Sequence, residues 1–171
     1  MVDAPATPDA AIDGPPGATF TLTSTAYANG GAIPSAQACA SKSGMNLSPP
    51  LALANPPAGT LSYAITFTDL TNGLVHSAIY DIPVATTALP GDIDKVYAPP
   101  DVPGAHQPNN YSGTRGYAGP CPNAAHMYQL KIYALSTATL PGSTMATTKD
   151  QVVTAAATNL GTATLTGTFT P

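Results

Sequence analysis

The stretch that most limits what this chain can fold into runs from Gly116 through Tyr-Ala-Gly-Pro-Cys-Pro-Asn-Ala-Ala-His-Met to Tyr128, then on through Gln-Leu-Lys-Ile-Tyr-Ala-Leu135. Its first half cannot be regular structure. Pro120 and Pro122 lack a backbone donor and have a fixed φ, and Gly116 and Gly119 admit backbone shapes that other residues resist. Its second half alternates: His126, Tyr128, Leu130, Ile132 and Ala134 fall on one face of a strand, with Met127, Gln129, Lys131, Tyr133 and Leu135 on the other. A stiff loop therefore delivers an imidazole and a phenol, two positions apart, to the same side of a sheet. Loop N–H groups beside those side chains make a small anion pocket one reading of the stretch. The other is a Gly-Pro loop before an ordinary strand, with a structural histidine at its start.

The same alternation marks further strands. Thr60 to Asp69 is the best central one: Leu61, Tyr63, Ile65 and Phe67 alternate with Ser62, Ala64 and Thr66, and Asp69 ends the inner register. Thr71-Asn72-Gly73 is a hairpin signal. Val75 to Ile82 is then the returning strand, with His76, Ala78, Tyr80 and Ile82 on one face and Pro83 as its stop. Asp69 and His76 flank that turn, within reach of each other if the strands pair across it. Phe20 and Leu22 among threonines make 18–25 a strand, and Thr162 to Thr170 alternates as the last.

Between these, Gly44-Met-Asn-Leu-Ser-Pro-Pro-Leu-Ala-Leu53 holds two adjacent prolines, which exclude a helix and predict an irregular crossing. Residues 85–115 are turn-rich, with no periodicity beyond Ile93 to Val96; they read as a long ordered loop over the sheet, of the kind that lines sites. His106, inside that loop, reads as solvated. Thr148-Lys-Asp-Gln151 matches a capping box, and Val152, Ala155, Ala156 and Leu160 follow at helical spacing, which predicts a helix over about 148–159. Residues 1–17, rich in Pro, Ala and Asp, read as a flexible tether ahead of a single domain spanning 18–171. No signal peptide is visible. A tether of this kind fits an exported chain, periplasmic, secreted or lipid-anchored, whose export segment has been removed.

Composition removes several classes. Only 8% of residues are charged, against about a quarter in ordinary domains. With five Lys and Arg in all and a net charge of −4, there is no basic patch and no nucleic-acid partner is expected. No apolar run approaches the roughly 20 residues of a transmembrane helix. Cys39 and Cys121 read as one disulfide, which would close a long loop, contribute about 4 kcal/mol and imply an oxidising compartment. The alternatives are a thiolate–imidazole metal site, which has no ligand-spacing signature, and a Cys121 nucleophile activated by His126, which lacks an oxyanion or third-group signature. Neither cofactor nor metal is expected, and no nucleotide-loop or nucleophile-elbow motif is present.

Several short motifs then fall in one order: Gly44-x-Asn46-x-Ser48-Pro49-x-Leu51; the strand ending at Asp69; His76 ahead of Ile79-Tyr80-Asp81-Ile82-Pro83; Gly116-Tyr117-x-Gly119-Pro120-Cys121-Pro122 with His126-x-Tyr128; and Tyr133-Ala134-Leu135. Together, across about residues 18–171, they resemble the phosphatidylethanolamine-binding protein family in its bacterial branch. The resemblance implies a mostly β fold with one or two helices, a β-sandwich in which an antiparallel central sheet packs against a smaller sheet. It also implies a small pocket for phosphate, phospholipid head groups and similar anions, and in some members inhibition of kinases or proteases by docking. Carried over by position, the ligand-binding residues are Asp69, His76, Gly119, Pro120, His126 and Tyr128.

The sequence departs from the family at the pocket mouth. Where the family has Asp-Pro-x-Ala-Pro, Asp69-Leu-Thr-Asn-Gly73 makes a shorter turn with no proline and no second acid; Ser77 replaces an aromatic, Met127 an arginine, and Leu53 an aromatic. These changes thin the cationic rim.

Three functions follow. The leading expectation is a non-catalytic binding module for a small anion, phosphate or phospholipid head group. The second is an exported inhibitor or scaffold that docks on a protein partner through the 85–115 loop. The third is an acid–base or metal-dependent enzyme using the Asp–His pair and the second His. Asp69 itself has two readings, a turn cap or a partner that orients one imidazole and favours its charged form.

Overall fold

The computed structural model describes residues 17–171; the tether read over 1–17 lies, apart from Gly17, outside the described residues. Among the described residues there are eight strands: β1 (Thr21–Thr23), β2 (Gly31–Ala32), β3 (Leu51–Ala54), β4 (Ser62–Asp69), β5 (Leu74–Pro83), β6 (Ala88–Leu89), β7 (His126–Leu135) and β8 (Gly161–Phe169). One helix, α1, spans Lys149–Ala155. The strands form a five-stranded sheet in the order β2-β8-β7-β4-β5 and a three-stranded sheet in the order β1-β3-β6. All pairings are antiparallel except that of β2 with β8. This is the mostly β sandwich of two sheets that the resemblance implied, with one α-helix where one or two were expected.

β4 is central because it is apolar or small on both faces. Tyr63, Ile65 and Phe67 meet Leu130 and Ile132 of β7 and, from the small sheet, Leu22, Leu51, Leu53 and Leu89 in the main core. Ala64 faces the other way, with Ala78, Tyr80, Tyr133 and Leu135, into a second cluster closed by Val152 and Ala156 of the helical segment. Burying both faces of a strand contributes roughly 1.5–3 kcal/mol per large side chain relative to exposure, and it explains why this strand carries no charge before Asp69.

β5 does not keep the simple alternation predicted for it. Its pairing with β4 slips by one residue twice, between Tyr63/Ile65 and between Phe67/Thr68. Two β5 residues, Tyr80 and Asp81, stand against Ala64 alone, and His76 is an extra residue between the Ser77 and Val75 pairs. Such bulges re-aim side chains. His76, Ala78, Tyr80 and Ile82 therefore do not share one face: Ile79 and Ile82 enter the main core, Ala78 and Tyr80 the helix-side cluster. His76 packs its ring against Phe67 and Tyr128, on the main-core side.

Other expectations are corrected in smaller ways. The strand predicted over 18–25 is only Thr21–Thr23, because Ser24 turns inward to donate from Oγ to the Pro50 carbonyl. The crossing at Gly44 to Leu53 ends in a strand, β3, whose Leu51 and Leu53 are buried while Ala52 and Ala54 are exposed. The helix is shorter than predicted. Its capping box at Thr148 and Gln151 is formed as read, but the Asn159 side-chain amide donates to the carbonyls of Ala156 and Ala157 and closes the turn there.

The 85–115 segment, expected to be all loop, begins with β6 on the edge of the small sheet, and from His106 to Tyr111 it runs along the outer edge of β5. Tyr80 and His106 exchange backbone hydrogen bonds of 2.9 and 2.8 Å, and the Tyr111 N–H donates to the His76 carbonyl. His106 is not merely solvated. Its Nδ1 lies 3.0 Å from Oδ2 of Asp81, whose Oδ1 accepts the Leu140 N–H. Asp81 has φ 57°, left-handed, so the second bulge aims its carboxylate at two other segments at once.

Candidate functional site

The hairpin between β4 and β5 is held down on the start of β7. The Leu70 N–H donates to the Met127 carbonyl, and the Met127 N–H donates to Oγ1 of Thr71. In register, Asp69 stands opposite Tyr128 on one side and Leu74 on the other. Tyr128 and, two residues earlier, His126 share a strand face. So the hairpin end and the strand start bring Asp69, His126 and Tyr128 together.

Asp69 is 2% exposed and uses its two oxygens for different work. Oδ1 accepts the Thr71 N–H at 2.9 Å, capping the turn. Oδ2 lies 2.6 Å from Nδ1 of His126. The carboxylate therefore both caps the turn and holds an imidazole, but that imidazole is His126, not His76 across the hairpin. A carboxylate only accepts, so His126 carries its proton on Nδ1 and turns Nε2 outward. Burial first, and then the Asp69 carboxylate, hold the Tyr128 phenol above its ordinary value, against the opposing Cys121 backbone N–H. It remains a donor at neutral pH.

His76 reaches the same place by another route. As the extra residue of the bulge it turns in, and its Nδ1 donates to the Ala118 carbonyl at 3.1 Å. Its ring is edge-on to Phe67 and Tyr128 and lies 4.4 Å, centroid to centroid, from Tyr111 of the edge loop. Burial lowers its pKa below 6.5, partly offset by the Ala118 carbonyl and the charge of Asp69. The sign of the consequence is fixed: the folded state prefers this ring neutral, while the unfolded chain takes up a proton below about pH 6.5. Stability attached to His76 is full above that pH and is lost as pH falls through the lower folded value. Thermal unfolding midpoints should fall between pH 7 and pH 5 in the natural chain, and fall less steeply in His76→Gln.

The Gly-Pro loop is built more for packing than the sequence reading implied. A Cβ on Gly119 would sit 1.8 Å from the Gln37 carbonyl oxygen, so only glycine fits. The Gly119 N–H is already donated to Oδ1 of Asn46, at 2.7 Å, and the Pro120 carbonyl accepts the Cys39 N–H. Cys121 is bonded to Cys39, which gives the disulfide reading of the two cysteines and removes Cys121 as a free thiol. Lys42, from the Cys39 side, donates to Oδ1 of Asn123.

Between these parts lies a cleft of about 110 Å³. Asp69, His76, His126 and Tyr128 line it, Cys121 and Pro122 supply the loop's wall, and Gly119 and Pro120 are not among its lining residues. Tyr111, Asn72 and Leu74 complete it. Of these, Tyr111 lay within the loop read as lining a site, and Leu74 follows from the hairpin itself. Among the described residues no three His, Cys, Asp or Glu converge to hold a metal ion, and no helix is long and apolar enough to cross a membrane.

The chain belongs to the phosphatidylethanolamine-binding protein family, whose family model matches residues 23–170. It is 35% identical over 130 residues to a UPF0098 protein of Aquifex aeolicus, covering 72% of each chain. It is 32% identical over 171 residues to LppC of Mycobacterium tuberculosis, which carries the name of a lipoprotein, covering 95% of this chain and 78% of the other. Its fold matches the crystal structure of YbcL of Escherichia coli, described as a new member of the mammalian family, with a TM-score of 0.80 and 29% identity over 90% of this chain and 99% of that one.

Proposed function

We propose that the chain is a non-catalytic binding module whose cleft takes a small oxyanion, phosphate or a phosphorylated head group. The observation that carries this reading is the convergence of His126, oriented by Asp69 at 2.6 Å, with His76 and Tyr128 on one cleft open to solvent. An imidazole turned outward by a carboxylate offers an Nε2–H to an anion when protonated. Binding without turnover is favoured because the cysteine at the site is held in a disulfide and, among the described residues, no hydroxyl or thiol hydrogen-bonds to Nε2 of His126 for the Asp–His pair to activate.

A disulfide fits an oxidising compartment, and a relative carrying the name of a lipoprotein agrees with it. We therefore place the chain outside the cytoplasm. Calorimetric titration with O-phosphorylethanolamine tests the binding reading. The natural chain should bind with heat and saturation, and His126→Ala should weaken binding by about tenfold or more, the loss expected for one charge-assisted hydrogen bond of about 1.5–3 kcal/mol. Equal binding by His126→Ala contradicts the assignment.

A further inference from the structure

The cleft is short of positive charge for a site that holds phosphate. None of its lining side chains is Lys or Arg, and its fixed charge is the Asp69 carboxylate. What it offers instead are two imidazoles whose hydrogen-bonding roles the surroundings set separately.

His76 gives Nδ1–H to a backbone carbonyl, which can only accept. In the neutral ring, Nε2 therefore holds a lone pair and no proton. His126 gives Nδ1–H to Asp69, so its Nε2 can carry a second proton with the carboxylate as counter-charge. Neither Nε2 hydrogen-bonds to a described residue, and neither is sealed in: among the described residues, the one fully buried side-chain polar atom without a partner is Oε1 of Gln37. Both rings line the cleft. One nitrogen thus waits for a donor and the other, when protonated, for an acceptor.

We infer that the cleft selects an oxyanion that still carries one acidic proton, a phosphomonoester monoanion or dihydrogen phosphate, over a phosphodiester: the ligand's P–OH donates to Nε2 of His76 while a P–O⁻ accepts from the protonated Nε2 of His126. This rests on the anion reading above and narrows it.

The alternatives fit less well. A dianion brings two charges to a site where one imidazolium is already balanced by Asp69. A diester has the right single charge but no O–H, so on displacing water from the cleft one of its oxygens faces the His76 lone pair and leaves that acceptor covered without a partner. The groups that face His76 do not supply the missing donor. Asp69 from β4 and the Gly119 carbonyl from the Gly-Pro loop only accept, Tyr128 from β7 stands edge-on, and the Tyr111 ring from the edge loop lies tilted at 4.4 Å. His126 is held by Asp69, and the charge of Lys149 acts at longer range to keep the ring neutral.

The test uses the natural chain, so no variant has to fold. Inorganic phosphate, O-phosphorylethanolamine and glycerophosphorylethanolamine are titrated by calorimetry at pH 5.5 and 7.5, with the imidazole nitrogens of His76 and His126 followed by NMR. At pH 5.5 the monoester should bind about tenfold or more tightly than the diester, the size expected for one unsatisfied buried acceptor. On moving from pH 7.5 to 5.5 the monoester's gain should exceed the diester's by about twentyfold, because a phosphomonoester takes up its second proton near pH 6. In the monoester complex Nε2 of His76 should be unprotonated, because it accepts the ligand's P–OH. Equal affinity for monoester and diester at pH 5.5, or monoester affinity that rises with pH, overturns the inference and leaves the anion site standing. If none of the three ligands moves either imidazole, the anion site falls and this selectivity falls with it.

Discussion

Asp69→Ala is expected to cost about 3 kcal/mol of folding stability and to abolish anion binding together. One substitution removes the acceptor of the Thr71 N–H and the partner of His126, and the side chain is almost wholly buried, so water does not replace what is lost. For a domain of this size a loss of that order lowers the unfolding midpoint by roughly 10 °C, well short of unfolding a protein with about 5–15 kcal/mol in hand. Asp69→Asn separates the two roles. Its carbonyl can still cap the turn, so stability should fall by only about 1 kcal/mol. Its amide, however, donates toward His126 and drives the ring proton from Nδ1 to Nε2. Denaturation curves and imidazole nitrogen shifts of both variants check this; equal stability loss in the two would show that the carboxylate does not cap.

Replacing Cys39 and Cys121 by serine is the second large effect. The bond closes a loop of 82 residues in sequence separation, and loop-closure entropy puts its contribution at about 4 kcal/mol. The same bond ties the loop that walls the cleft to the segment carrying Asn46 and Lys42. The double variant should therefore unfold at much lower denaturant and also bind phosphate more weakly. The remaining ties, Cys39 N–H to the Pro120 carbonyl and Gly119 N–H to Asn46, should keep the loop near its place. Reductant added to the natural chain should reproduce both changes; a natural chain indifferent to reductant would contradict this role for the bond.

How much could be read from residues alone depends on how far alternation survives. β7 runs from His126 to Leu135 as its pattern dictates, and β4 and β8 follow closely, because strands buried in strict register keep a period of two. β5 breaks the rule. Its extra residues at His76 and around Tyr80–Asp81 are visible only against the partner strand, and no single-strand pattern shows a bulge. That is why Asp69 and His76, which the sequence puts within reach across the hairpin, do not pair: His76 donates to Ala118, while Asp69 takes His126 from a strand distant in sequence. The loop glycine posed the opposite problem. Gly119 looked like a ligand contact, whereas the Gln37 carbonyl pressed against it requires glycine for packing. The Asp81–His106 pair had no local signal at all, since a left-handed aspartate within a strand turns its carboxylate toward a loop far along the chain.

Everything functional in this account depends on two imidazoles, arriving from β5 and β7, sharing one bound anion. The most direct measurement is an imidazole-detected NMR titration of the natural chain with inorganic phosphate at pH 6. The account requires the His76 and His126 signals to shift together, with one saturating midpoint, while His106 at the far end of β5 stays still. A response from His106 alone, separate midpoints for His76 and His126, or silence from both rings would contradict it.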